Sequence, residues 1–168
     1  MSERQQKQGR STSVPAPGGV VLPANAEMER SLLGFILADP KSLADMLDLL
    51  SPEDFDSEQH RQVYEAFIDL YGTQELTADV NLLAKKLVGA RVFADIPAAK
   101  GFISNLLDPA AMSNHMYAPQ YAEEIHSLAV QRALVRLSWE IPGLVKEGVG
   151  DSLMEVLDAV ERRVFEVT

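Results

Sequence analysis

The residues from 53 to 70, EDFDSEQHRQVYEAFIDL, combine a helix start with a complete amphipathic pattern. Asp56 or Ser57 can accept hydrogen bonds from the free N–H groups of a following first turn. Apolar residues then recur at i, i+4, i+7 and i+8: Val63, Phe67, Leu70 and Tyr71. The pattern predicts a helix that ends at Gly72 and buries this face, with Phe55 packing back onto its first turn.

His60 and Arg61 lie inside this predicted helix and are candidates for a catalytic pair. A histidine can move protons near neutral pH, and an arginine can bind a phosphate or a carboxylate. However, no cysteine or second histidine lies nearby to complete a nucleophile–base pair. Acidic neighbours offer Arg61 ordinary ion-pair partners: Glu53, Asp54, Asp56 and Glu58. We therefore expect structural pairing for both residues.

Further short helical segments lie on both sides of this stretch. Capping residues or prolines mark where they begin: Asn25, Asp39-Pro40, Ser51-Pro52, Thr77 or Asp79, and Pro97. Each segment carries an apolar stripe, and each is too short to be stable in isolation. The segments must therefore pack together around one core.

The longest uninterrupted helical pattern runs from residue 118 to Ile141. A proline in a helix interior costs about 3 kcal/mol or more, so we expect Pro142 to end this helix at Ile141. A glycine-rich loop follows, and Asp151 or Ser152 can cap a final helix. The two helices predict a hairpin.

Apolar residues of this hairpin are candidates for a self-association interface because they fall close to a heptad seam. They are Tyr121, Ile125, Leu128, Val135 and Trp139 on the first arm, with Val156, Val160 and Val164 on the second. A heptad seam serves an intramolecular core equally well, so that interpretation stays open. Loss of association without loss of folding on substitution of Trp139 by alanine would favour the interface.

The sum of these patterns predicts an all-α protein, a compact multi-helix bundle followed by a helical hairpin. Residues 1–22 are rich in Gln, Ser, Pro and Gly and are expected to form a disordered tail. Residues 23–110 are assigned to the bundle. Residues 111–168 are assigned to the hairpin and the start of a linker.

Cysteine and histidine usage restricts the possible chemistry. The chain has no cysteine and three scattered histidines, so disulfides and thiolate metal sites are excluded and no structural zinc is expected. No apolar run approaches the roughly 20 residues of a membrane span, and the N-terminus lacks the apolar core of a secretory signal. We expect a cytoplasmic protein without membrane contact.

The net charge of −10 argues against direct DNA binding, because phosphate contacts are supplied by clustered Lys and Arg. The acid is concentrated between Asp39 and Asp79, where eleven acidic residues face only Lys41 and Arg61 as basic ones. Such a surface could steer a basic protein partner, although a solvated acidic face is the simpler interpretation.

Nucleotide and hydrolase sites are not indicated. The run closest to a phosphate-binding loop, GLVKEGVG from Gly143 to Gly150, has Val149 in place of the required lysine and lies between helices. No pair of carboxylates has a neighbour that would raise a pKa, so no catalytic, cofactor-binding or metal residue is assigned. The residues alone indicate an interaction module.

Several short runs, in order, resemble the N-terminal domain of DnaB-type replicative DNA helicases. The runs are Pro23-Ala24-Asn25-Ala26-Glu27, Ser31-Leu32-Leu33-Gly34, Glu53-Asp54-Phe55 with His60-Arg61 and Tyr64, Thr77-Ala78-Asp79 through Leu83 and Leu87, Tyr121-Ala122-Glu123 with Arg132, and Leu157-Asp158-Ala159-Val160-Glu161 with Val164-Phe165. Together they cover nearly the whole chain from Pro23 onward.

The resemblance implies a six-helix globular subdomain and a hairpin that pairs across subunits to build a collar above a motor ring. It implies self-association as a dimer or higher, up to a hexamer, and docking of a DnaG-type primase or a helicase loader. The ATPase domain of the family, which holds ATP and magnesium, follows the linker and lies outside this chain. This chain is accordingly expected to be no enzyme and to hold no cofactor.

Two alternatives stay open beside the helicase collar domain. The first is a free-standing collar-like protein that joins or regulates a helicase ring. The second is an acidic all-α adaptor or enzyme unrelated to replication. Capture of a helicase or a primase is expected from the collar domain and the free-standing protein, and not from the unrelated protein.

Overall fold

A computed structural model describes residues 21–73, 79–107, 117–147 and 153–167. Within these ranges the chain forms α-helices and two short 3-10 helices, without a strand. The α-helices are α1 (Ala26–Ala38), α2 (Leu43–Leu47), α3 (Glu58–Gly72), α4 (Val80–Gly89), α5 (Ile96–Leu106), α6 (Ala118–Glu147) and α7 (Leu153–Phe165). The predicted all-α class is confirmed, whereas nearly all of the predicted tail lies outside the described residues.

The helix starts are set by side-chain caps, most of them readable in the sequence. Asn25 accepts from the N–H of Met28 at 3.1 Å at the start of α1. Ser57 takes the same role for α3, and Asp79 for α4, so that both alternatives offered by the sequence are resolved. The candidate caps of α7, Asp151 and Ser152, lie outside the described residues.

The core lies between α1 and the helices that surround it. Its largest fully buried side chains include Leu32, Leu33, Ile36, Leu37, Tyr64, Phe67, Leu83, Leu87, Ile103 and Leu106. The same cluster includes Ala118, Ala122 and Ile125 of α6. The core therefore extends past residue 110, and the first two turns of the long helix are part of the bundle.

Tyr71 does not share the buried face of α3 that the sequence predicts for it. Its side chain is 38% exposed, whereas Val63, Phe67 and Leu70 are buried as expected. The buried stripe is completed by His60 and by two further residues, Tyr64 and Ala66. Tyr71 lies at the edge of this stripe near the helix end, so its ring reaches solvent.

Pro142 does not end the long helix, and the expected stop at Ile141 is wrong. The helix α6 continues to Glu147 with Pro142 in its interior. Pro142 lies on the exposed side, and α7 packs along α6. Arg163 of α7 also donates to Glu140 at 2.5 Å, two residues before the proline. Packing against a neighbouring helix thus overrides the unfavourable local propensity.

Candidate interaction surface and its polar anchor

The helix α7 presents a large apolar surface to solvent. Among the described residues, no side chain of α7 is fully buried. Leu153 is 74% exposed and Phe165 is 78% exposed. Met154, Leu157 and Val164 are exposed as well. An amphipathic helix normally buries such a face, so this surface is a candidate for contact with another protein chain.

The helical positions of α7 divide its apolar residues into two groups. Val156, Ala159 and Val160 are half-buried. Four exposed apolar residues lie on the adjacent arc, which we call the free face of α7: Leu153, Met154, Leu157 and Val164. Since α7 contacts α6 in this chain, the half-buried group belongs to the hairpin contact. The side chains of the free face remain between 40% and 74% exposed in the described chain.

The predicted interface residues fall into different environments. Ile125 is 1% exposed and lies in the bundle core, so the intramolecular interpretation applies to it. Tyr121 packs on that core, with its ring centroid 5.7 Å from that of Phe35. The others lie in the hairpin and are half-buried: Leu128, Val135, Trp139, Val156 and Val160. Only Val164 belongs to the free face, so the structure does not bring these residues together on one surface.

A polar anchor joins α6 to the bundle at Arg132. Its side chain is 3% exposed. One terminal nitrogen donates to the main-chain oxygen of Pro23 at 3.0 Å, and the other donates to the main-chain oxygen of Asp54. Its Nε lies 3.6 Å from a carboxylate oxygen of Asp56. A guanidinium can satisfy several acceptors at once in this way because its donors form a rigid planar fork.

Glu29 holds the same loop from the side of α1. Its side chain is 2% exposed, and it accepts from the N–H groups of Asp56 at 2.7 Å and Ser57 at 3.3 Å. It also accepts from Nδ1 of His60 at 2.8 Å. A buried carboxylate is tolerated when its oxygens are hydrogen-bonded in this manner.

Asp54 completes the network between the loop and α6. One carboxylate oxygen accepts from the N–H of Ser51 at 2.9 Å and lies 3.2 Å from Nδ1 of His126. Residues 51–57 are therefore held by α1 on one side and by α6 on the other. The buried Tyr64 hydroxyl donates to the main-chain oxygen of Leu50 at 3.3 Å. Burial and the nearby charge of Asp54 raise the pKa of Tyr64 to about 12.

Structural pairing of His60 and Arg61, the expected role, is confirmed. His60 is bonded to Glu29, and Arg61 donates to Glu58 at 2.7 Å. Glu29 was not predicted as the partner of His60, because the two residues lie 31 positions apart and no local pattern pairs them. Arg132 was recognised only as part of a family-like run. Glu29 and Arg132 each occupy a position on the apolar stripe of their own helix. A charged residue at such a position is the sequence signal that could have identified them.

Within the described ranges, no group of three or more His, Cys, Asp or Glu side chains is arranged to hold a metal ion. In the same ranges no helix is both long and apolar enough to cross a membrane.

The fold and the polar anchor define a helical-bundle domain whose long last bundle helix extends into a hairpin. A sequence model described as the DnaB-like helicase N-terminal domain matches residues 21–127. The chain therefore belongs to the DnaB-like helicase N-terminal domain family. The resemblance noted in the short sequence runs is confirmed.

Individual relatives agree with this assignment. The replicative DNA helicase DnaB of Mycobacterium leprae is 30% identical over 148 residues, which cover 86% of this chain and 24% of that protein. The DnaB of Pasteurella multocida is 25% identical over 171 residues, covering 96% of this chain and 34% of that protein. The chain thus spans about a third or less of the length of these curated relatives.

A solved structure shows the same fold. The crystal structure of the N-terminal domain of DnaB helicase from Mycobacterium tuberculosis matches with a TM-score of 0.72 and 27% sequence identity. The match covers 86% of this chain and 99% of that chain. The correspondence covers an isolated N-terminal domain almost completely.

Proposed function

We propose that this chain acts as a collar domain of a replicative DNA helicase, self-associating through its hairpin and docking a primase or a helicase loader. Family membership and the names of the relatives support a place in replication. The observation that carries the self-association is the exposure of the apolar side chains on the free face of α7. Nucleotide hydrolysis is assigned to a motor domain outside this chain, and ATP and magnesium with it.

Burial of the free face of α7 by a second protein chain is energetically favourable. A helix of this length is marginal in water, and its stability depends on burying an apolar face. Burial is worth roughly 25 cal/mol per Å² of apolar surface. A second copy supplies the same face in return, which is the arrangement of a two-fold symmetric contact.

The acidic side of the bundle is a second surface that could contact a partner protein. Exposed carboxylates of Asp45 and Asp48 lie on or next to α2, and that of Glu53 lies in the following 3-10 helix. A surface of one charge sign accelerates association with a partner of the opposite sign. We assign this surface to steering of a basic region of the primase or loader.

Self-association is tested by sedimentation velocity of residues 1–168 over a wide concentration range. We expect a concentration-dependent dimer or larger species. Leu157→Glu, which places a charge on the free face, should abolish it. Leu47→Glu is the matched control, because Leu47 is 39% exposed and Leu157 is 45% exposed, yet Leu47 lies on the bundle. A wild-type chain that stays monomeric at high micromolar concentration, or equal loss in both variants, contradicts the proposal.

Partner docking is tested by titrating the helicase-binding domain of the primase from the same organism into the protein, with binding followed by calorimetry. Saturable binding that weakens with salt and with Asp45→Lys/Asp48→Lys supports the docking surface. If these substitutions leave binding unchanged, the primase binds a different surface of the protein. The absence of binding contradicts primase docking. The mass of the protein in its own cells separates a helicase segment from a free-standing collar-like protein.

A further inference from the structure

The apolar contact between α6 and the bundle ends well before the helix does. Ala118, Ala122 and Ile125 lie in the bundle core at helical spacings of four and three residues. Continued along the helix, the same side of α6 reaches Arg132, two turns beyond Ile125. Leu137 is buried but lies outside the core cluster. Arg132 is therefore the point at which α6 leaves the bundle.

The contacts of Arg132 join three separate segments. Its guanidinium bonds the main chain at Pro23, just before α1, and at Asp54, in the loop before α3. These partners lie 109 and 78 residues away in the chain. The loop itself is fixed from the opposite side by Glu29. The anchor therefore has a rigid counterpart on the bundle and is not a flexible surface ion pair.

The type of contact determines how firmly an angle is held. Apolar packing is non-directional and tolerates small rotations of one helix on another. Hydrogen bonds require donor–acceptor distances within a few tenths of an ångström and a nearly linear arrangement. A guanidinium that donates to two acceptors at once adds a fixed plane to this requirement. A buried arginine at the last contact of α6 thus fixes the direction in which the hairpin continues.

We propose that Arg132 is a positioning residue that sets the angle between the hairpin and the bundle. Through that angle it determines how the free face of α7 is presented to a second copy. The second part rests on the proposed self-association, whereas the first part concerns a single chain. The two are therefore separable by experiment.

The angle is measured by pulsed dipolar spectroscopy on spin-labelled cysteine pairs. The chain has no cysteine, so each pair is introduced into an unmodified background. Glu65→Cys with Asp158→Cys reports the bundle-to-hairpin distance, and Glu65→Cys with Lys85→Cys reports a distance inside the bundle. All three positions are exposed and helical. Dilution with an excess of unlabelled protein removes distances between chains.

Arg132→Lys is the test variant, because it keeps the charge but loses the planar fork. We expect the bundle-to-hairpin distribution to broaden or shift, while the distribution within the bundle stays unchanged. Arg136→Lys, on the same helix but exposed, is the matched control and should leave both distributions unchanged.

Two outcomes overturn the proposal. An unchanged bundle-to-hairpin distribution in Arg132→Lys shows that apolar packing alone sets the angle. A change in both distributions shows that Arg132 maintains the bundle itself. Sedimentation of the same samples reports self-association separately, so a monomeric wild type would contradict the proposed function without affecting the measured angle.

Discussion

His60 donates through Nδ1 to Oε2 of Glu29 across 2.8 Å, which links the start of α3 to the first turn of α1. Both side chains are largely buried. The same carboxylate accepts from two N–H groups of the loop before α3. This single carboxylate therefore fixes the relative position of two core helices.

Substitution of Glu29 should be severely destabilising. Glu29→Ala leaves a buried histidine and two N–H groups without their acceptor, and breaking a buried pair of this kind costs about 3 to 5 kcal/mol. Urea denaturation provides the measurement. Glu27→Ala, two residues earlier and exposed, removes an ion pair with Arg30 and should cost no more than about 1 kcal/mol. Equal losses in the two variants would show that Glu29 has no special role.

The raised pKa of Tyr64 predicts a loss of protein stability at alkaline pH. Its pKa is about 12 in the folded protein and 10.0 for an ordinary tyrosine, so the unfolded chain loses this proton first. The free energy of unfolding should therefore fall as the pH rises from about 10 to about 12. Below pH 10 this contribution is fully present.

Tyr64→Phe isolates that contribution. The variant should be about 1 kcal/mol less stable at neutral pH, because the hydrogen bond to Leu50 is lost. Its stability should then decline less than that of the wild type between pH 10 and 12. Tyr71→Phe, at an exposed position, is the control and should follow the wild type. Parallel alkaline profiles for Tyr64→Phe and the wild type would contradict the assignment.

Trp139 is the only tryptophan of the chain and lies half-buried in the hairpin part of α6, so its fluorescence reports on the hairpin. Because α7 has no fully buried side chain among the described residues, we expect the hairpin to open before the bundle. The fluorescence midpoint in urea should lie below the midpoint from far-UV circular dichroism, and it should rise with protein concentration. Coincident midpoints at every concentration would refute this order of unfolding.

Replacement of Pro142 should stabilise the hairpin. Pro142 lacks the N–H that would bond to Ser138, one turn earlier, and Pro142→Ala restores it. We expect a gain of about 1 to 3 kcal/mol in the transition that Trp139 reports. Pro119→Ala is the control, because a proline in the first turn of α6 removes no helical hydrogen bond. If Pro142→Ala gives no gain in stability, or if both variants gain equally, the helix accommodates Pro142 without an energetic cost.

Local sequence signals determined the helices of this protein to a large extent. The caps at Asn25, Ser57 and Asp79, and the stop at Gly72, follow from side-chain chemistry within one or two turns. Apolar periodicity assigned Val63 and Phe67 to the core for the same reason, since a helical period relates residues that are close in sequence.

Tertiary structure alone decided which polar groups are buried and where the long helix ends. Glu29 and Arg132 have partners 27 to 109 residues away, and no local pattern specifies contacts over such separations. Pro142 remains helical because α7 packs against α6, a contact that helix propensity does not include. The free face of α7 became recognisable in the same way, because only the packed chain shows which side of an amphipathic helix stays exposed.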